Sequence, residues 1–177
     1  MKTIAAVVLF ALAPAAMAQD HHRPYATHEK REVKALSDDE AKQYLSGAGM
    51  GYAKAAELNH FPGPMHVLEL ADALQLSAGQ RRAVKALMDE HKAQARAVGL
   101  KLVESERALE ALFRRPDVPQ QALADAVTEA ARLQGEYRLS HLEPHRRLKP
   151  LLTAGQIAKY DALRGYGAAP GTADSAR

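Results

Sequence analysis

The fold of this protein is decided by residues 76–115, whose sequence is LSAGQRRAVKALMDEHKAQARAVGLKLVESERALEALFRR. Apolar or small residues recur here at steps that alternate between four and three, which predicts one long helix packed along its length. At the helical rise per residue, a helix from Ser77 to Arg115 would extend about 55–60 Å. The seam, with one histidine and one serine included, consists of Val84, Met88, His91, Ala95, Val98, Leu102, Ser105, Leu109 and Leu112.

A second long helix follows a tight turn. The turn is RRPDVPQ, residues 114–120, whose two prolines end the first helix. The second helix is predicted from about Gln120 towards Leu148, and Pro150 stops it. Two long helices joined by a short turn predict an antiparallel helical hairpin.

The position of the apex determines which residues of the two helices lie opposite each other, at the same level along the hairpin axis. With Asp117 as the apex, His91 faces residue 143 and Gly99 faces Gly135. Two glycines at one level indicate a close approach of the two backbones or a shared flexible point, or they are two unrelated, tolerated glycines.

The phrases LSAGQ (76–80) and LTAGQ (152–156) share one pattern. In each, a hydroxyl side chain can accept from the backbone N–H three residues on, and a glutamine can reach back to the cap. This pattern predicts a capping box with a hydrophobic residue in front of it. The motif residues are Leu76, Ser77, Gln80, Leu152, Thr153 and Gln156.

The segment before the hairpin predicts shorter helices. Ser37 and Glu40 form a capping box that opens a first helix, which is predicted towards Asn59. The glycine-rich stretch SGAGMG, residues 46–51, weakens this helix and leaves open whether it is helix or hinge.

The stretch FPGP, residues 61–64, stops the first helix, and a short helix follows to about Gln75. A last helix is predicted from Thr153 to about Arg164. The sequence therefore predicts an all-α domain over residues 37–164, with about four helices that include the long hairpin.

The two ends of the chain differ from this domain. Residues 1–18, MKTIAAVVLFALAPAAMA, have a basic start, a short apolar core and an A-x-A cleavage site, which predicts a cleavable export signal. An uncleaved membrane anchor is the alternative. Residues 19–36 are polar without periodicity and predict a flexible segment, and residues 165–177 predict a disordered tail.

Composition narrows the classes of function. The chain has no cysteine, so an exported fold must hold without disulfides. A formal charge of +3 is mild and argues against nucleic acid as a partner. Neither a G-x-S-x-G motif, a P-loop nor an H-E-x-x-H motif occurs, so we expect no enzyme.

The histidines carry the sharpest chemical signal. HLEPH places His141 and His145 four residues apart on one helix face, where two imidazoles can chelate zinc, copper or nickel. The hairpin register brings His91 to this level, and His66 can approach from the short helix. The alternative is a pair of exposed histidines that binds nothing specific.

Two features modify this candidate metal site. Pro144 lies between the two histidines and should kink the helix and free the carbonyl of Ser140. Glu90 or Glu143 could supply a carboxylate ligand. The histidines of residues 19–28 lie in the predicted flexible segment and could bind metal only weakly.

A second candidate function belongs to the surface of the hairpin. Apolar side chains beyond the seam must meet a second copy, the short helices or a client. Arginine pairs at 81–82, 114–115 and 146–147 surround them. Apolar surface with a basic rim can hold unfolded chains loosely, whereas the plainer interpretation is an ordinary dimer interface.

Residues 45–166 resemble the periplasmic CpxP/Spy family, whose members carry paired LTxxQ motifs. The resemblance rests on the two phrases and on AAELNHFPGPMHVLELADALQLSAGQ and LLTAGQIAKYDALRGY. It implies a four-helix protomer that dimerises into a curved cradle, located in the periplasm. It also implies ATP-independent binding of unfolded envelope proteins and a link to a sensor kinase or an anti-sigma system.

The same family includes ZraP-like proteins and CnrX-like heavy-metal sensors. For the sensors the resemblance implies an early H-x-x-x-H pair, a glutamate and a late H-x-x-x-M pair. His141 and His145 fall at the late pair, with histidine in place of methionine. The early pair is absent, because His60 and His66 are six residues apart across two prolines. A heavy-metal sensor or resistance protein is therefore the alternative function to a chaperone.

Overall fold

A computed structural model describes residues 25–167. This part of the chain is all-α, and no strand occurs in it. It contains six α-helices, α1 (Asp38–Ser46), α2 (Lys54–Glu57), α3 (Pro64–Glu69), α4 (Ala78–Leu112), α5 (Gln120–Leu148) and α6 (Ala154–Arg164), and a 3₁₀ turn, Lys149–Leu151. The predicted signal, residues 1–18, lies outside the described residues, as do positions 168–177 of the predicted tail.

Helices α4 and α5 form the long antiparallel hairpin that the heptad pattern predicts. Helix α4 ends at Leu112, slightly before the predicted Arg115, and Phe113 caps it. The residue before a proline avoids the helical region, so the approach to Pro116 unwinds the last turn.

The first helix is shorter than predicted. It ends at Ser46 and not near Asn59, because Gly47 adopts a left-handed conformation with φ 72°. The N–H groups of Gly47 and Ala48 then bond to the carbonyls of the last turn, as in a Schellman cap. The glycine-rich stretch is therefore a break between α1 and α2. Likewise, α3 ends at Glu69, and turns connect it to α4.

Two clusters of buried side chains stabilise the hairpin. The basal cluster lies at the open end and consists of Val67, Ala71, Leu74, Leu76, Val84, Leu87, Leu148, Leu152 and Tyr160. The central cluster lies midway and consists of Val33, Tyr44, Leu102, Val103, Leu133 and Tyr137. Beyond it, no side chain of residues 104–129 is buried. We call residues 104–129 the distal arm.

The segment before α1 packs more closely than its polar sequence predicts. Val33 is only 3% exposed within the central cluster. The Lys34 ammonium contacts Glu110 at 2.9 Å, and Arg107 pairs with Glu32. Residues 32–36 therefore pack against the hairpin, whereas positions 19–24 of the segment expected to be flexible lie outside the described residues.

Gly99 and Gly135 do not form a matched pair. A Cβ at Gly99 would lie 2.0 Å from the Tyr44 carbonyl oxygen, whereas a Cβ at Gly135 would meet nothing within 4 Å. The close backbone approach is therefore between α1 and α4, and Gly135 is a tolerated glycine.

The two repeated phrases form capping boxes, as predicted, and they also meet each other. Ser77 and Gln80 bond reciprocally, as do Thr153 and Gln156. In addition, Gln80 Nε2 donates to Gln156 Oε1 at 2.9 Å, and Gln156 Nε2 donates to Gln80 Oε1 at 3.2 Å. Each amide thus caps its own helix and holds the start of the other.

We predict that Gly99→Ala destabilises the fold by about 1–3 kcal/mol, because the new methyl would collide with the Tyr44 carbonyl. The matched change Gly135→Ala should stabilise it by about 0.5–1 kcal/mol through higher helix propensity. Urea unfolding of both variants measures the difference. Equal effects at the two sites would contradict the close approach of α1.

We also predict that Gln80→Ala and Gln156→Ala are energetically coupled by about 1 kcal/mol, since each removes the same amide pair. The measurement is a double-mutant cycle by urea unfolding. Gln94→Ala, at an exposed site in the middle of α4, serves as the control and should change stability little. Strict additivity of the two changes would show that the motifs act only as separate caps.

Candidate functional site

A cavity of about 570 Å³ lies between α4, α5, α3 and the glycine-rich break. It sits along the hairpin between the basal and central clusters. His66, His91, His141 and His145 all line it, so the four histidines singled out in the sequence surround one space. We call this space the histidine cavity.

His91 and His141 lie side by side across the hairpin, at the level that the register predicts. Their ring centroids are 4.8 Å apart. The Tyr137 ring packs against His141 at 4.7 Å, and the Tyr52 ring stacks on it at 6.2 Å. These aromatic contacts hold the His141 ring in a largely apolar wall.

Pro144 explains why His91 is fixed. A proline lacks the N–H that would bond to the carbonyl four residues earlier, which is that of Ser140. His91 Nδ1 lies 2.9 Å from this Ser140 oxygen. A carbonyl can only accept, so the Nδ1 of His91 carries the proton and its Nε2 keeps a free lone pair.

His145 is held in the same way from another element. Its Nδ1 lies 2.9 Å from the carbonyl oxygen of Phe61, in the loop before α3. The Nδ1 therefore donates, and the lone pair again remains on Nε2. Gly63 makes room for this ring, since a Cβ there would lie 2.8 Å from His145 Cε1.

His141 differs from the other two because its Nε2 is buried and has no hydrogen-bond partner among the described residues. Burial lowers the pKa of His141 to about 4, and the nearby His91 and His145 add to this effect. Burial also lowers the pKa of His91. Both rings are therefore neutral at neutral pH, which is the form that binds metals.

The carboxylates proposed from the sequence face elsewhere. Glu90 forms a bidentate pair with Arg147, and Glu143 pairs with Arg146. His66 lines the cavity from α3, and its Nδ1 lies 2.8 Å from Glu69 Oε2. Within residues 25–167, no three His, Asp or Glu side chains converge closely enough to hold a metal ion. Metal binding therefore stays a prediction.

Sequence analysis missed part of the lining. Glu57 lies in the wall and accepts from the Tyr160 hydroxyl at 2.9 Å. Met50, Met65 and Met88 line the cavity as well. Of these residues, only Met88 could have been placed near His91 from the sequence, because it lies on the seam three residues before it. Met50 lies in the glycine-rich break, and Met65 lies in the first turn of α3, which is too short to show a periodic pattern.

The motif residues lie outside this cavity. The paired amides of Gln80 and Gln156 are at the base of the hairpin, where Gln80 Nε2 also donates to the Leu151 carbonyl at 2.9 Å. Gln156 Nε2 bonds to the Leu74 carbonyl at 3.2 Å. The repeated phrases therefore position the helices, and the histidines are the groups with free ligand atoms.

No family model, curated protein or solved structure matches this chain. The resemblance to the CpxP/Spy family therefore stays a prediction. None of the helices in residues 25–167 combines the length and the apolar character that crossing a membrane requires.

Proposed function

We propose that this protein binds a transition-metal ion in the histidine cavity and serves in metal sensing or metal resistance in the periplasm. The observation that carries the proposal is the shared orientation of the rings. His91 and His145 each donate through Nδ1 to a main-chain carbonyl, which leaves Nε2 as the ligand atom. Metal-binding histidines use this arrangement because it fixes both the tautomer and the ring.

His141 supports the same proposal. A buried nitrogen without a partner costs free energy unless a ligand satisfies it. Because the ring is neutral at neutral pH, a cation does not compete with a second proton for its nitrogen lone pair. Imidazole nitrogen suits zinc, copper and nickel, which are the ions named from the sequence. Small rotations of the histidine rings, or one ligand that is not a histidine, would complete the coordination of the metal ion.

The test is calorimetric titration of the chain beginning at Gln19 with zinc, copper and nickel. We expect saturable binding near one ion per chain, and His141→Ala with His145→Ala should weaken it at least about tenfold. His28→Ala is the matched control, since His28 lies before α1 and outside the cavity. Absence of saturable binding, or an unchanged affinity in the double variant, would refute the proposal.

A second candidate function is ATP-independent binding of unfolded envelope proteins, with the protein acting as a homodimer. The distal arm supports it. Leu109 and Leu112 of the seam and Leu123 of α5 are only half-buried there, and Phe113 at the tip of the arm is 63% exposed. The hairpin leaves these apolar side chains partly exposed, and we propose that they contact a client or a second copy.

The charged residues around the distal arm favour weak binding of an unfolded client. Arg114 and Arg115 lie beside the exposed Phe113, and Arg115 has no ion-pair partner among the described residues. Apolar contact supplies attraction without direction, and the basic rim favours acidic segments of a client. A client held this way can fold while bound.

For this second function, Leu109→Ser with Leu112→Ser should lose most of the suppression of aggregation of a model client at stoichiometric ratio. Leu100→Ser is the matched control, since Leu100 is exposed on α4 outside the distal arm. Light scattering during thermal aggregation of the client gives the readout. Sedimentation of both variants separates client binding from dimerisation. Suppression that survives in the double variant would exclude the distal arm as the client surface.

A further inference from the structure

The methionines of this protein are gathered at one place. After the predicted cleavage site the sequence contains three, Met50, Met65 and Met88, and all three line the histidine cavity. They come from three separate segments, namely the glycine-rich break, α3 and α4. Met88 is 8% exposed and lies one turn before His91 on α4, whereas Met65 is 47% exposed. Three methionines and four histidines therefore line the same space.

Met50 stands at an unfavourable backbone position. Its φ is 46°, in the left-handed region that glycine or asparagine adopts more readily. Strain of this kind persists where the side chain or the surrounding structure has a use for it. Met50 both lines the cavity and packs against the central cluster.

The ligand chemistry separates two classes of ion. Zinc is bound by nitrogen, oxygen and thiolate in tetrahedral sites, and residues 25–167 bring no three histidines or carboxylates together for it. Thioether sulfur is a soft ligand that favours Cu(I), and imidazole also binds copper. A site of two imidazoles with thioethers needs no third histidine or carboxylate.

The surrounding charge also favours an ion of low charge. Lys54, Lys92, Arg96 and Arg164 line the cavity. Glu57 is the one carboxylate in this lining, and it already accepts from the Tyr160 hydroxyl. Repulsion by the four cations scales with the charge of the ion, so a monovalent ion is penalised about half as much as a divalent one.

From these observations we infer that the histidine cavity binds Cu(I), with methionine thioethers as ligands beside the Nε2 atoms of the histidines. Met88 is the thioether best placed for this role, because it is buried and shares a helix face with His91. The inference rests on the proposed metal-binding function and adds the class of ion and the sulfur ligands.

The test uses the full chain, exported with its own signal and purified. Cu(I) affinity is measured without oxygen, in ascorbate, by competition with bathocuproine disulfonate, and zinc affinity is measured with a chromophoric chelator. The variant Met50→Leu/Met65→Leu/Met88→Leu keeps the volume of the side chains and removes the sulfur atoms. Its thermal unfolding verifies the fold, and Met88→Leu alone is the milder variant.

We expect the triple variant to weaken Cu(I) binding at least about tenfold and to leave zinc binding unchanged. X-ray absorption at the copper edge should detect sulfur around copper in the natural chain and not in the triple variant. If Cu(I) affinity is the same in both, or if zinc competes equally with Cu(I), the inference is overturned while the proposed function stands. If neither ion binds the natural chain, the proposed function fails together with the inference.

Discussion

One hydrogen bond between the two long helices links the fold to the candidate site. Pro144 leaves the carbonyl of Ser140 without its helical donor, and His91 on α4 supplies the missing N–H. A buried carbonyl without a partner is costly, so this bond favours one register of the hairpin. It also settles which nitrogen of His91 is free. The residue that interrupts helix α5 thereby orients a ligand across from it.

The positions of the two buried clusters determine what the hairpin can expose. The basal cluster is tied by the paired amides of Gln80 and Gln156, and the central cluster by the packing of α1 against Gly99. Between them the chain breaks at Gly47, and at that level the break, α2 and α3 face α4 and α5 in place of a continuous α1. The histidine cavity is the space left by this break. Beyond the central cluster, Glu32 and Lys34 contact the distal arm at Arg107 and Glu110, and no side chain of residues 104–129 is buried.

The two proposed functions therefore use different parts of one molecule. Metal binding depends on the covered middle of the hairpin, where burial keeps His91 and His141 neutral. Client binding depends on the distal arm, where no side chain is buried. Changes in one region leave the residues of the other in place, which makes the two functions separable by substitution.

The sequence by itself determined the features that depend on neighbouring residues. The heptad spacing predicted the hairpin, and the capping boxes predicted the starts of α1, α4 and α6. The turn around Asp117 predicted which residues of α5 lie opposite His91. Each of these follows from interactions over a few residues or from the geometry of a single helix. The freed carbonyl of Ser140 was likewise predictable from the missing N–H of Pro144.

Only the tertiary structure decided the remaining features. The end of α1 at Gly47, the burial of Val33 and the pairing of the two LxxxQ-type phrases depend on contacts between residues far apart in sequence. The gathering of Met50, Met65 and Met88 has the same origin. Spacing along a chain gives the direction of a side chain only within a long regular helix, whereas Met50 lies in a turn and Met65 lies in the short helix α3. Their convergence on the histidines is a property of the folded chain.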